Sequence, residues 1–184
     1  MDEMLKINFD NLHSKDRKLQ TAAFNAIIAA SDQPVDWAYD VWDSLAADLS
    51  SQHDNHQRSI AVQVLCNLAK SDPDKRILKN FDAMLAVTRE TSGVTPRHCM
   101  QALWKVGVAG EAQQQMLLGG LERRFQECSA EKIGSLLRYD IIQSLRHLYD
   151  VVNDETIREK ALALIETEAD VKQRKKYAAL WKNQ

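Results

Sequence analysis

The sequence contains little of what marks secreted, membrane-spanning or β-rich proteins. Its 184 residues include only three prolines, six glycines and three cysteines, and aromatic residues make up 7%. No apolar run approaches the ~20 residues that a membrane helix needs, and the first residues, MDEMLKINFD, are acidic where a secretory signal is basic. Three widely spaced cysteines do not make a disulfide framework. We therefore expect reduced thiols, a cytoplasmic location and no membrane partner.

What the sequence does contain favours helices. Alanine, leucine and long polar side chains, the good helix formers, are plentiful, and apolar residues recur with a period near 3.6 throughout the chain. All three prolines fall where helices should begin, and Asp72-Pro73 and Thr95-Pro96 should each place a capping side chain before a proline at the first helical position. The sequence predicts an all-α fold with helices at 3–12, 15–30, 35–50, 55–70, 73–90, 96–108, 111–127, 131–151, 154–168 and 170–182.

The same pattern returns about every 40 residues. Four segments each open on an arginine, namely Arg17, Arg58, Arg97 and Arg138, with spacings of 41, 39 and 41 residues. Downstream positions align as well: Phe24, Leu65, Trp104 and Leu145 share one column, and Leu19, Ile60, Cys99 and Asp140 share another. Asp140 is the misfit in its otherwise apolar column. A fixed period of this length is typical of helical repeat proteins.

The segment DNHQRSIAVQVL at 54–65 resembles the second helix of a HEAT repeat, and SKDRKLQTAAF (14–24) and SGVTPRHCMQAL (92–103) resemble it more faintly. The resemblance to this armadillo-like superfamily covers nearly the whole chain. It implies a right-handed α-α superhelix, or solenoid, of about four to five helical hairpins with the second helices on the concave side. We expect one domain, 1–184, with units near 1–31, 32–71, 72–110, 111–152 and 153–184.

Catalytic and metal sites are not expected. His53 and His56 could supply two ligands of a metal, but zinc needs four ligands or three plus water, and both histidines fall in a turn before an apolar helix. The three cysteines lie among apolar residues and suit buried packing. No phosphate loop, serine-nucleophile elbow or dinucleotide fingerprint occurs. We predict no metal, no cofactor and no enzymatic activity.

A polar, basic strip is predicted along the concave side. Its candidate binding residues, taken from the non-core positions of the second helices, are Gln63, Asn67, Lys70, Arg97, Gln101, Lys105, Gln143, Arg146 and His147. The alternative interpretation is an ordinary solvated helix face. The repeated arginine has a structural interpretation of its own, which we favour for Arg58: it can pair with an acid such as Asp54 or reach carbonyl groups of the adjacent unit.

Three functions remain open. The first is a non-catalytic scaffold or adaptor that binds another protein on its concave surface. The second is nucleic-acid binding, because some DNA alkylation-repair glycosylases look like HEAT-repeat proteins; here the net charge is −2, but 171–184 holds five basic residues and no acid. The third is a subunit of a larger assembly, with Leu180 and Trp181 near an apolar end. The oligomeric state is left open.

Overall fold

The computed structural model describes residues 1–50, 52, 54–91 and 94–182, and these ranges contain helices and no β-strand. The all-α prediction is confirmed. Short 3-10 turns at Ala69–Ser71 and Cys128–Ala130 extend two of the helices. In chain order the helices are α1 (Glu3–Asn11), α2 (Arg17–Ala30), α3 (Ala38–Asp48), α4 (Asn55–Leu68), α5 (Ile77–Val87), α6 (Thr95–Ala102), α7 (Trp104–Val108), α8 (Glu111–Glu127), α9 (Gly134–Val152), α10 (Glu155–Glu166) and α11 (Val171–Ala179).

Aspartate side chains begin many of these helices. Asp16, Asp54, Asp154 and Asp170 each accept a hydrogen bond from a backbone N–H of the first turn that follows. These bonds satisfy donors that would otherwise lack an intrahelical partner. Asn153, directly before one of the caps, takes a left-handed conformation (φ 55°) and ends α9. The link between α9 and α10 can therefore be only two residues long.

The two predicted proline starts differ in detail from the structure. Asp72 does accept backbone hydrogen bonds, but from the N–H groups of Arg76 (2.9 Å) and Ile77 (2.7 Å), so α5 begins four residues after Pro73. The intervening turn includes Lys75 at φ 55°, which no helix can continue through. At the other site the prediction of Thr95 as the cap is wrong: Thr95 is itself the first residue of α6 and makes no capping bond.

Most helices that follow one another in sequence pack side by side, and we sort them by their place in the predicted pairs into two sets, a first-helix row and a second-helix row. The first helices of successive pairs are α1, α3, α5, α8 and α10. The second helices are α2, α4, α6 with its continuation α7, α9 and α11, which we call the second-helix row. Within it α4 packs against α2 and α6, α6 packs against α9, and α9 packs against α11.

Side-chain hydrogen bonds between units repeat the spacing seen in the sequence. The amide of Asn67 donates to the Ser31 hydroxyl (2.7 Å), 36 residues away. The Ser144 hydroxyl donates to the carbonyl of Met100 (2.7 Å), 44 residues away, and the Tyr177 hydroxyl donates to the Ser135 carbonyl (2.9 Å), 42 residues away. These bonds join segments that lie 36 to 44 residues apart in the sequence, close to the 40-residue period.

The core draws buried apolar side chains from both sets of helices. The apolar column residue Leu65 is fully buried, and so are Leu145 and the three cysteines. Gly120 of α8 lets this helix approach α5 closely, because a Cβ atom there would lie 2.5 Å from Cε1 of Phe81. Its neighbour Gly119 faces open space. Of this glycine pair, only Gly120 is needed for the close approach of α8 to α5. None of the helices in the described ranges is both long and apolar enough to cross a membrane.

Candidate functional site

Two of the predicted strip residues, Arg97 and Gln101, bind within the protein. Arg97 donates two hydrogen bonds to the carboxylate of Asp140, from Nε (2.7 Å) and from Nη2 (2.9 Å), and Gln101 Nε2 adds a third (3.0 Å). The Asp140 side chain is completely buried, whereas that of Arg97 keeps 33% exposure. The carboxylate raises the pKa of Arg97. Asp140, the misfit of the sequence columns, is therefore the acceptor that joins α6 to α9.

The other repeated arginines also join parts of the fold. Arg58 is buried, donates to the carbonyl of Leu49 (3.3 Å) and pairs with Glu90. We expected Arg58 to pair with an acid such as Asp54 or to reach carbonyl groups of the adjacent unit. Its carbonyl partner, Leu49, instead lies within its own predicted unit, its acid is Glu90, and Asp54 caps α4. Arg138 likewise donates to a carbonyl, pairs with Glu168 (2.9 Å) and lies 4.5 Å above the ring of Phe125. Arg17 is exposed and donates to Gln20 (2.7 Å).

Three strip residues meet in a depression between the 3-10 turn after α4, helix α7 and the C-terminal turn of α9. Its volume is about 310 Å³. Asn67 is buried at its floor, where its Oδ1 accepts from Lys105 Nζ (2.8 Å). Lys70 Nζ donates to the backbone carbonyl of Asp32. We call this site the lysine depression; its lining is Asp32, Cys66, Asn67, Lys70, Trp104, Lys105, Val108 and Val151.

A second depression of about 250 Å³ lies further along the second-helix row, where α2, α4 and α6 meet. Gln63, a strip residue, lines it, with its amide turned back onto Ser59 of the same helix (3.1 Å). His56 and His98 face this depression from neighbouring units. Burial lowers the pKa of His56, and the positive charge of Arg17 lowers it further. His53, the other histidine of the turn, lies outside the described residues.

Two of the three remaining strip residues, Arg146 and His147, lie beside aromatic rings. The ring of His147 lies 5.8 Å from that of Trp104. The Arg146 guanidinium lies 5.2 Å from the ring of Trp181 and pairs with Asp150 (2.5 Å). Gln143 is half-buried on α9. The strip residues therefore do not form one uniform surface: Arg97, Gln101 and Asn67 are hydrogen-bonded to other side chains of the protein, and Lys70 and Lys105 share a depression.

The three thiols are poorly suited to nucleophilic chemistry. Burial raises the pKa of Cys99 to about 12, and burial also raises the pKa values of Cys66 and Cys128. Because the thiolate is the reactive form of cysteine, these shifts suppress its reactivity. Across the part of the chain that the structure describes, no three histidine, cysteine or acidic side chains group together as metal ligands.

The apolar wall of the lysine depression was not predicted from the sequence. Trp104 was assigned to an apolar column, while Val108 and Val151 had no assigned role, yet they supply its apolar wall. Trp104 is only partly buried, and both valines are exposed at the surface of α7 and α9. One sequence signal could have found these valines: each is an apolar residue near the end of its helix, at a position outside the 3.6-residue spacing of the buried face.

Comparison of the sequence with models of known protein families and with curated proteins finds no match for this chain. The assignment of function therefore depends on the geometry of the second-helix row.

Proposed function

We propose that the protein is a non-catalytic scaffold or adaptor that binds another protein along its second-helix row. In this proposal the helical pairs form a short right-handed, HEAT-like solenoid, and the second-helix row is its concave surface. The observation that carries the proposal is the pair of depressions between successive second helices, one with two lysines and one with two histidines. Extended repeat surfaces of this kind suit peptides and helices of a partner.

The burial of the thiols and the internal bonds of the repeated arginines support a binding function over a catalytic one. The thiols are buried with raised pKa values, and the bonded arginines Arg58, Arg97 and Arg138 serve the packing between units. The two depressions expose apolar side chains beside lysine, histidine and neutral polar groups, with Asp32 as the acid of their linings. Such a mixture of apolar and polar groups suits a protein partner, because interfaces combine an apolar centre with a polar rim.

A matched pair of charge reversals tests this proposal. Lys105→Glu changes the second-helix row, and Lys79→Glu changes an exposed lysine of α5 in the first-helix row. In affinity capture followed by quantitative mass spectrometry, we expect Lys105→Glu to remove a partner that the unaltered protein and Lys79→Glu both retain. Equal capture by all three proteins would move the binding surface away from the lysine depression.

A second candidate, nucleic-acid binding, is favoured by one observation. Helix α11 and the residues after it carry Lys172, Arg174, Lys175 and Lys182, and within the described residues no ion pair joins these four to a carboxylate. Cations of this kind could contact phosphates, and such binding falls steeply with salt. A gel shift at low salt tests it: complexes with duplex or single-stranded DNA that disappear in Lys172→Glu/Lys175→Glu would favour this function, and no complex would remove it.

A further inference from the structure

We infer that the lysine depression binds a protein segment in which a bulky apolar side chain lies next to an acidic one. The inference rests on the proposed function, since it names the chemistry of the partner at one place on the second-helix row. It is carried by an apolar wall and a cationic rim that belong to the same depression of about 310 Å³.

The apolar wall is formed by Trp104, Val108 and Val151. Val108 keeps 38% of its surface exposed and Val151 keeps 56%, although both belong to helices that bury other apolar side chains. Trp104, which is partly buried, lines the same depression. Covering these three side chains removes apolar surface from water, which favours an occupant with an apolar group of its own.

The cationic rim is formed by Lys70 and Lys105. Within the protein, Lys70 Nζ bonds the Asp32 carbonyl and Lys105 Nζ bonds the Asn67 amide oxygen, both of them neutral acceptors. A lysine ammonium has three donors, so each keeps donors for a ligand. No salt bridge holds either ammonium among the residues that the structure describes; the Asp32 carboxylate is the one acid of the lining.

The charges in the depression are not balanced. Two ammonium groups face one carboxylate, which leaves a net positive charge beside the apolar wall. Partial burial and the neighbouring charge of Lys105 lower the pKa of Lys70, while Asp32 opposes this shift. A ligand carboxylate would relieve the repulsion between the two lysines and accept charge-assisted hydrogen bonds from them.

The size of the depression restricts the occupant to a short element. Sites for small molecules occupy about 300–1,000 Å³, and this one is at the lower limit, enough for one bulky side chain and a neighbouring carboxylate. An anion without an apolar group would leave the wall uncovered, and an apolar group without an anion would leave the lysines unpaired. A segment with adjacent phenylalanine and glutamate covers the apolar wall and pairs with the lysines.

The test uses capped hexapeptides and the full chain labelled with ¹⁵N. The probe peptide is Ac-Ser-Gly-Phe-Glu-Gly-Ser-NH₂, and its two controls replace Phe with Ala or Glu with Gln. We expect the probe to shift the NMR signals of residues lining the lysine depression, including the indole N–H of Trp104. Each control peptide should bind about tenfold more weakly, which corresponds to the loss of one favourable contact.

Protein variants locate the site. Val151→Glu places a carboxylate at an exposed position of the wall. It should weaken binding of the probe peptide at least as much as replacing the peptide's own Glu with Gln does. Lys70→Ala should weaken it about tenfold, whereas Lys79→Ala on the first-helix row should leave it unchanged. Because Val151 and Lys70 are exposed, these variants are expected to fold, and a thermal melt confirms it.

The outcomes separate this inference from the proposed function. Equal binding of the Glu and Gln peptides, shifts elsewhere on the surface or no binding at millimolar peptide would overturn the inference about partner chemistry. Loss of a captured protein on Lys105→Glu would still support the scaffold function in those cases. Conversely, specific probe binding together with unchanged capture by Lys105→Glu would support the ligand chemistry and contradict the scaffold function at this surface.

Discussion

Removing Arg97 tests the role that the structure gives to the buried Asp140. Arg97→Ala takes away both guanidinium bonds at 2.7 and 2.9 Å and leaves a fully buried carboxylate with Gln101 as its donor. Breaking a buried ion pair in this way costs about 3–5 kcal/mol. Because the Arg97 side chain keeps 33% exposure, water can partly replace it, and we expect the lower value, about 3 kcal/mol.

Urea unfolding followed by far-ultraviolet circular dichroism measures this change. With an m-value near the upper end of the usual range of about 1–3 kcal/mol per molar, the midpoint should fall by about 1 M. The matched control is Arg158→Ala, which removes an exposed arginine paired with Glu155 and should change stability by no more than about 0.5 kcal/mol. A loss for Arg97→Ala as small as that of the control would refute the role of the pair.

A double variant in which both partners of the Arg97–Asp140 ion pair become apolar is a second test of this pair. Arg97→Met with Asp140→Leu removes the buried charges together and returns the Asp140 position to the apolar character of its sequence column. Replacing a buried ion pair by apolar residues of similar volume is often neutral or stabilising. We therefore expect the double variant to be more stable than Arg97→Ala. A double variant that is less stable than the single one would show that the carboxylate is required for more than its pairing.

Three further predictions concern packing, reactivity and pH. Gly120→Ala should destabilise the protein by about 1–3 kcal/mol, because its Cβ would overlap Phe81, while Gly119→Ala should stabilise it by about 0.5–1 kcal/mol, and thermal melts compare the two. The three buried cysteines should react with a thiol reagent at pH 7 only after urea unfolding, and rapid reaction of the native protein would contradict their burial. The folded-state pKa of His56 lies below 6.5, so the unfolded chain binds the proton more readily and stability should fall as pH drops through 6.5. His56→Gln should reduce that fall, with His147→Gln as the control; urea midpoints at pH 7 and pH 5 measure it.

Much of the fold could be predicted from the sequence because helix signals are local. Apolar periodicity and aspartate caps act within a few residues, so the helix positions agree with the structure to within a few residues. The break at Leu103 between α6 and α7 was not predicted: a single helix was expected at 96–108. Just beyond the break, Gly107 packs so closely that a Cβ there would lie 2.8 Å from the Leu148 side chain. This contact comes from a different unit and leaves no local mark in the sequence.

The candidate site was harder to predict, because the partner of each polar side chain lies about 40 residues away. Arg97 and Lys105 occupy similar non-core positions of one polar face and look equivalent in the sequence. In the structure Arg97 is joined to a buried carboxylate on α9, whereas Lys105 bonds only a neutral amide at the edge of a depression. The repeat pattern indicates which helices are neighbours, but it does not indicate which polar side chains remain free to bind a partner.

Site-specific photo-crosslinking tests the central claim, that a partner binds along the second-helix row. A benzophenone amino acid is introduced at His98, exposed on α6 beside the second depression, which His56 and His98 line, and in a separate protein at Lys79, exposed on α5. On irradiation in cell extract, we expect a defined protein adduct from position 98 that is absent from position 79. An adduct formed only from position 79, or the same adducts from both, would contradict it.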